Sequence, residues 1–197
     1  MTNTLSSRDG TAIGYDSLGE GPALILVDGA MTVHSSGSGS ELAKLLAPYF
    51  TVYGFDRRGR GESGDTLPYA VDREIDDIEA LIDRAGGPAF LYGHSSGGPL
   101  AMRAAIRLGG KVSKIAMYEP PYNNDPGAQE SWSQYLRQLR QALAEGRRGD
   151  AGLAFMPDAA RVLSQAIPQG QLRMLPGQTH EVKPDALAPV LAEFFTS

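Results

Sequence analysis

One segment constrains the fold of this chain more than any other: Phe90-Leu91-Tyr92 running into Gly93-His94-Ser95-Ser96-Gly97-Gly98. An apolar run that turns through G-x-S-x-G into a helical segment is a nucleophile elbow. In such a turn a sharp strand-to-helix change of direction holds a serine hydroxyl clear of the backbone. The turn forces the serine into a strained backbone conformation. A Cβ at position 93 or 97 would clash with the neighbouring strand or helix, so small residues are required at both flanks. Ser95 is therefore the candidate nucleophile.

The rest of the chain supplies the setting such an elbow needs. Ala23 to Val27 is a continuous apolar run, the pattern of a strand buried on both faces, and it ends at Asp28-Gly29-Ala30. Residues 11–16 alternate weakly. A short amphipathic helix is predicted from Glu41 to Tyr49 and a second buried strand from Phe50 to Phe55. Val71, Ile75, Ile78 and Ile82, spaced by four, three and four, form the stripe of a helix packed on a sheet. After the elbow, Leu100, Ala104, Ala105 and Leu108 mark its helix, and Lys114 to Tyr118 form a strand that stops at Glu119-Pro120-Pro121. Trp132, Leu136, Leu139 and Leu143 make another helical stripe. A helix over 159–167, a last strand over Gln171 to Leu175 and a closing helix over Asp185 to Phe195 complete the pattern. Strands alternating with helices predict a mostly parallel sheet with helices on both faces.

Composition excludes several function classes. The 197 residues suit a single α/β domain, and a net charge of −5 predicts no attraction to nucleic acid or to anionic membranes. The one basic run, Arg57-Arg58-Gly59-Arg60, is followed at once by Glu62 and Asp65 and is expected to be a polar loop. With no cysteine there can be no disulfide, thiolate metal site or cysteine nucleophile. Met1 to Gly10 is polar, and no apolar run approaches the ~20 residues that span a bilayer. A soluble, cytoplasmic protein is expected. No G-x-G-x-x-G follows the first buried strand, so the elbow is not a dinucleotide loop, and chemistry at its serine calls for no metal, nucleotide or flavin.

Four separated motifs occur in a set order: Asp28-Gly29 after a strand, Asp56-Arg57-Arg58-Gly59-Arg60-Gly61-Glu62-Ser63, the Gly93-to-Gly97 elbow, and Gly177-Gln178-Thr179-His180. In this the chain resembles the α/β-hydrolase superfamily over nearly all of residues 1–121 and again over 156–197. The resemblance implies one α/β-hydrolase domain over 1–197. Members commonly insert a helical cap after the Glu119 strand and then a further strand carrying an acid. Here only 122–150 is left as a cap remnant, and no such strand is recognisable before Ala159. Ser35-Ser36-Gly37-Ser38-Gly39-Ser40 has the composition of a flexible linker.

Serine hydrolysis needs a base within hydrogen-bond reach of the hydroxyl and a third group to orient that base. Of the three histidines, His94 is directed away from the serine by the turn, and His34 is expected on a surface loop. His180 follows the nucleophile in the order this superfamily requires, and is the candidate base. Three carboxylates remain open as the acid. Glu119 ends the strand after the elbow helix, a position some members of the superfamily use. Asp150 lies thirty residues before His180, and Asp158 is the third. The backbone N–H of Ser96, at the start of its helix, is one expected oxyanion donor. The resemblance puts the other on Ala30. Asp28 stands where these enzymes often carry histidine, and the Asp56-to-Ser63 loop is expected to brace the first catalytic loop. Together these imply an esterase-like serine hydrolase acting on a small-molecule ester or related acyl substrate. A lyase or acyltransferase on the same fold, and a non-catalytic scaffold, stay open beside it.

Overall fold

The computed structural model describes residues 3–30, 32–34, 38–121 and 170–197. The chain divides into two units, Met1–Pro120 with Met174–Ser197 and Pro121–Arg173. The sheet and every site residue described below belong to the first. The expected cap remnant, the Trp132 stripe, the helix over 159–167, Asp150 and Asp158 lie outside the described residues.

Six strands form one sheet: β1 (Asn3–Ser6), β2 (Ala12–Leu18), β3 (Ala23–Val27), β4 (Thr51–Phe55), β5 (Ala89–His94) and β6 (Val112–Tyr118). Their spatial order is β1-β2-β4-β3-β5-β6. β1 and β2 pair antiparallel, as do β2 and β4, while β4, β3, β5 and β6 run parallel to one another. Four α-helices accompany them among the described residues: α1 (Ser38–Leu46), α2 (Val71–Ala85), α3 (Gly97–Leu108) and α4 (Pro184–Thr196).

The continuous apolar run of β3 has the cause expected of it. Ile25 and Val27 point into one core with Ile75, Ile78 and Ile82 of α2 and Leu100, Ala101 and Ala104 of α3. Leu24 and Leu26 point into the other with Leu42 and Leu46 of α1 and Leu187, Leu191 and Phe195 of α4. Because strand side chains alternate, a strand covered on both sides must be apolar at every position.

Chain order also decides where a site can form. From β3 the chain steps to β4 on one side, then returns to place β5 and β6 on the other. The loops leaving β3 and β5 therefore diverge, and the crevice at their carboxyl ends is the topological switch point at which open α/β sheets bind ligands.

Three expectations need correction. Gln171 to Leu175 forms no strand. Leu172 and Met174, the alternating pair that would supply a buried face, are both exposed. The linker-like serine–glycine run is helical from Ser38 onward, because its last residues open α1 and precede the buried Leu42 and Leu46. β1 was not expected, since an edge strand reading Asn-Thr-Leu-Ser carries no apolar period. Its backbone is held by the ladder to β2 instead.

Candidate active site

Ser95 sits between β5 and α3 at φ +50°, a left-handed conformation that an L-residue adopts only when its surroundings enforce it. The enforcement is visible on both flanks. A Cβ on Gly93 would lie 2.6 Å from the carbonyl oxygen of Gly97, and one on Gly97 would collide with the carbonyl oxygen of Val27. Helix and strand are thus as close as two backbones allow, which is the clash foreseen from the sequence. The Ser95 N–H donates to Tyr118 O at 2.9 Å, tying the elbow to the end of β6.

Glu119, the next residue after β6, is at φ +45°. It and Ser95 are the non-glycine residues with positive φ among those described. Its carboxylate oxygen Oε2 is 2.8 Å from Nδ1 of His180. A carboxylate can only accept, so the proton of the neutral imidazole sits on Nδ1 and the lone pair on Nε2. The loop that carries His180 is held from below at two carbonyls. Nε2–H of His94 donates to His180 O at 2.9 Å, and the Tyr118 hydroxyl donates to Thr179 O at 2.8 Å. Burial pushes the His94 imidazole below its ordinary pKa, which suits a neutral donor in that role.

The loop after β3 approaches from the other side. A Cβ on Gly29 would be 3.2 Å from Cβ of Ser95, so this loop runs close past the serine with little space for a side chain there. Ala30 follows it and is exposed. Ser96 is the N-cap of α3, and the positive end of that helix dipole faces the elbow. Asp28 is buried, and a narrow cleft is lined by its side chain with Leu42, Tyr92, His94 and Leu187. Burial pushes its carboxyl up to about 6.

Beneath this loop the basic run is not the solvated segment its composition suggests. Arg57 and Arg58 are buried. Arg57 binds both carboxylate oxygens of Glu74, at 2.6 and 2.8 Å. Arg58 does the same to Asp77, at 2.6 and 2.8 Å, and adds Asp9 at 2.9 Å. Burial pushes Glu74 up, but the Arg57 hydrogen bonds and charge outweigh it and hold the carboxyl below its ordinary value. Neither Glu62 nor Asp65 answers these arginines. The sequence carries a signal for the true partners: Glu74 and Asp77 are three apart and neighbour Ile75 and Ile78 on the buried stripe of α2.

His34 is likewise corrected from surface loop to core. It is buried, with Nε2 3.1 Å from Asp16, and its backbone N–H donates to Asp56 Oδ1 at 2.8 Å. Its Nδ1 comes within 3.0 Å of that same Asp56 oxygen without hydrogen-bond alignment. Asp56 also accepts from the Glu62 N–H, so one buried carboxylate joins the loop after β3 to the loop after β4. Arg57 Nη1 reaches Asp28 O at 3.4 Å and Arg60 Nη1 reaches Gly29 O at 2.7 Å. The second loop does brace the first. Among the described residues, no cluster of three histidine or acidic side chains could hold a metal ion.

Residues 31–195 match the alpha/beta hydrolase family. The chain belongs to that family. It is 35% identical over 143 residues to N-formylmaleamate deformylase of Pseudomonas putida, covering 70% of this chain and 52% of that protein. It is 32% identical over 142 residues to pimeloyl-acyl-carrier-protein methyl ester esterase of Nitrosospira multiformis, covering 68% of this chain and 52% of that one. The chain thus spans about half the length of the curated relatives it matches. An alpha/beta hydrolase of Sphaerobacter thermophilus superposes with a TM-score of 0.80 at 36% identity, covering 98% of this chain and 100% of that one. The hydrolase fold is therefore present here with a six-stranded, mostly parallel sheet among the described residues. No helix among those residues is long and apolar enough to cross a membrane.

Proposed function

We propose that this chain is a serine hydrolase of esterase type that cleaves a small ester or related acyl substrate, with Ser95 as nucleophile, His180 as base and Glu119 as acid. The observation that carries the reading is the 2.8 Å contact between His180 Nδ1 and Glu119 Oε2. It joins two residues 61 positions apart and leaves the imidazole lone pair on Nε2. The contact favours Glu119 over the other carboxylates as the acid. Relatives named as a deformylase and a methyl ester esterase support acyl chemistry on small groups.

In this mechanism Ser95 Oγ attacks the acyl carbon while its proton passes to Nε2 of His180. The Glu119 carboxylate stabilises the imidazolium that results. Charge developing on the carbonyl oxygen is met by the N–H groups of Ser96 and Ala30. Collapse expels the alkoxide, which takes the proton from His180. Water, deprotonated by the same histidine, then attacks the acyl-enzyme and releases the acid and free Ser95. No metal or organic cofactor enters these steps.

The test is p-nitrophenyl acetate hydrolysis by the chain beside Ser95→Ala, with a fluorophosphonate probe as a second readout and circular dichroism as the folding control. Turnover and labelling that both vanish in Ser95→Ala are the expected result. Equal, near-background rates in two folded proteins would leave a non-catalytic scaffold as the better account.

A further inference from the structure

Arg60 lies in the loop after β4 and reaches across to the loop after β3, where its Nη1 donates to the carbonyl oxygen of Gly29 at 2.7 Å. That carbonyl shares a peptide unit with the N–H of Ala30. The unit is trans, since the cis peptide among the described residues is Leu67–Pro68. In a planar trans peptide the C=O and the N–H point in opposite directions. Whatever holds the Gly29 oxygen on one side therefore aims the Ala30 N–H toward the other.

Such a hold is needed at this position. Gly29 has no Cβ to restrict its backbone, so the 29–30 peptide plane can rotate at low cost unless something fixes it. Thr32 Oγ1 adds a weaker contact to the same oxygen at 3.5 Å and a better one to Ala30 O at 3.2 Å. The Arg60 contact is shorter and charge-assisted, hence the stronger of the two on Gly29. Arg60 is itself pinned by its backbone. Its N–H donates to Arg57 O at 3.1 Å, and its carbonyl accepts from Ser63 N–H at 2.9 Å. Arg57 is anchored in turn to Glu74.

We infer that Arg60 is a positioning residue for catalysis, one that aims the Ala30 N–H at the developing oxyanion by holding the Gly29 carbonyl on the opposite side of the peptide plane. The inference rests on the serine-hydrolase reading above, with Ala30 as an oxyanion donor. Arg60 touches no reacting atom. Its effect belongs to the transition state, because a misaimed donor costs little while the substrate carbonyl is neutral and most when charge develops on its oxygen.

The experiment compares the chain with Arg60→Met, Arg60→Lys and Ser95→Ala, following p-nitrophenyl acetate turnover, inhibition by an aryl trifluoromethyl ketone, and thermal melting. Arg60→Met is expected to lower kcat by about 10- to 100-fold, less than the 10²–10³ that follows complete loss of a donor. KM should stay within about twofold. The trifluoromethyl ketone, whose adduct carries the oxyanion, should weaken in parallel with kcat. Arg60→Lys, which keeps the charge and an N–H donor, should recover most of both. If Arg60→Met does not fold, Arg60→Gln gives the same readout, since its side chain is too short to reach Gly29.

A folded Arg60→Met with kcat near wild type would overturn the inference. So would a loss of kcat with ketone affinity unmoved, or one that only tracks a fall in melting temperature. Failure of the underlying reading looks different: the unsubstituted chain would then be no faster than Ser95→Ala, and both conclusions would fall together.

Discussion

Two contacts between a carboxylate and a nitrogen group, almost equal in length, have opposite surroundings in this molecule. Arg58 and Asp77 meet at 2.6 Å with both side chains 1% exposed, whereas His180 and Glu119 meet at 2.8 Å with side chains 41% and 25% exposed. The first pair is sealed between α2 and the loop after β4. It cannot move without unpairing a buried charge. The second is open to solvent, as the proton transfer proposed for His180 requires. Distance alone says little about a charged pair, and its surroundings decide whether it holds geometry or carries chemistry.

Substitutions can separate the two roles. The largest effect is expected from Glu119→Gln, which should lower kcat by about 10³- to 10⁴-fold, since an amide can hold the imidazole in the wrong tautomer. Its melting temperature should stay near wild type because the pair is solvent-accessible. A large stability loss with little loss of rate would reverse the assignment. Arg58→Met should do the opposite, leaving Asp77 buried without a partner and costing about 3–5 kcal/mol in denaturant unfolding. Whatever protein remains folded should retain its kcat.

A smaller, pH-dependent effect is expected at Asp28. Its carboxyl is raised from 3.8 to about 6 by burial. Between those values the folded protein keeps a proton that the unfolded chain has lost. Stability therefore falls as pH rises through that window, and the loss is complete above it. Asp28→Asn should recover on the order of 2–3 kcal/mol at pH 8 and nothing at pH 3. Parallel melting curves at both pH values would show that the carboxyl is not held protonated by burial. The smallest effect belongs to Arg8, paired with Glu79 at 2.8 Å but 64% exposed. Arg8→Ala should be indistinguishable from wild type in denaturant, because an exposed pair competes with water and salt.

Much of this was legible in the sequence, for identifiable reasons. The elbow at Ser95 was readable because its two glycines answer a local backbone clash. The strand β3 was readable as an apolar run buried on both faces, and the helices α2, α3 and α4 because each buries a periodic set of side chains. Legibility failed where the relevant interaction is long-range. Arg57, Arg58 and Arg60 look like a solvated run until α2 delivers Glu74 and Asp77 and the loop after β3 delivers Gly29. His34 reads as a loop residue for the same reason, since Asp16 arrives from β2 and Asp56 from the start of the loop after β4. β1 and the non-strand at Gln171 to Leu175 failed through pairing, because an edge strand is decided by the ladder it finds and not by its own pattern.

The sequence by itself determined the α/β class, the parallel core of the sheet, the position of the strained serine and the candidate histidine. The first three follow from residues within a turn or two of one another or from apolar patterning, and the histidine from the order of motifs along the chain. Only the tertiary structure decided that Glu119 meets His180, that the basic loop is buried, and that Arg60 holds Gly29. Those contacts join residues 61 and 31 positions apart. No local pattern encodes which side chains will face each other once strands of different sequence separation are brought edge to edge.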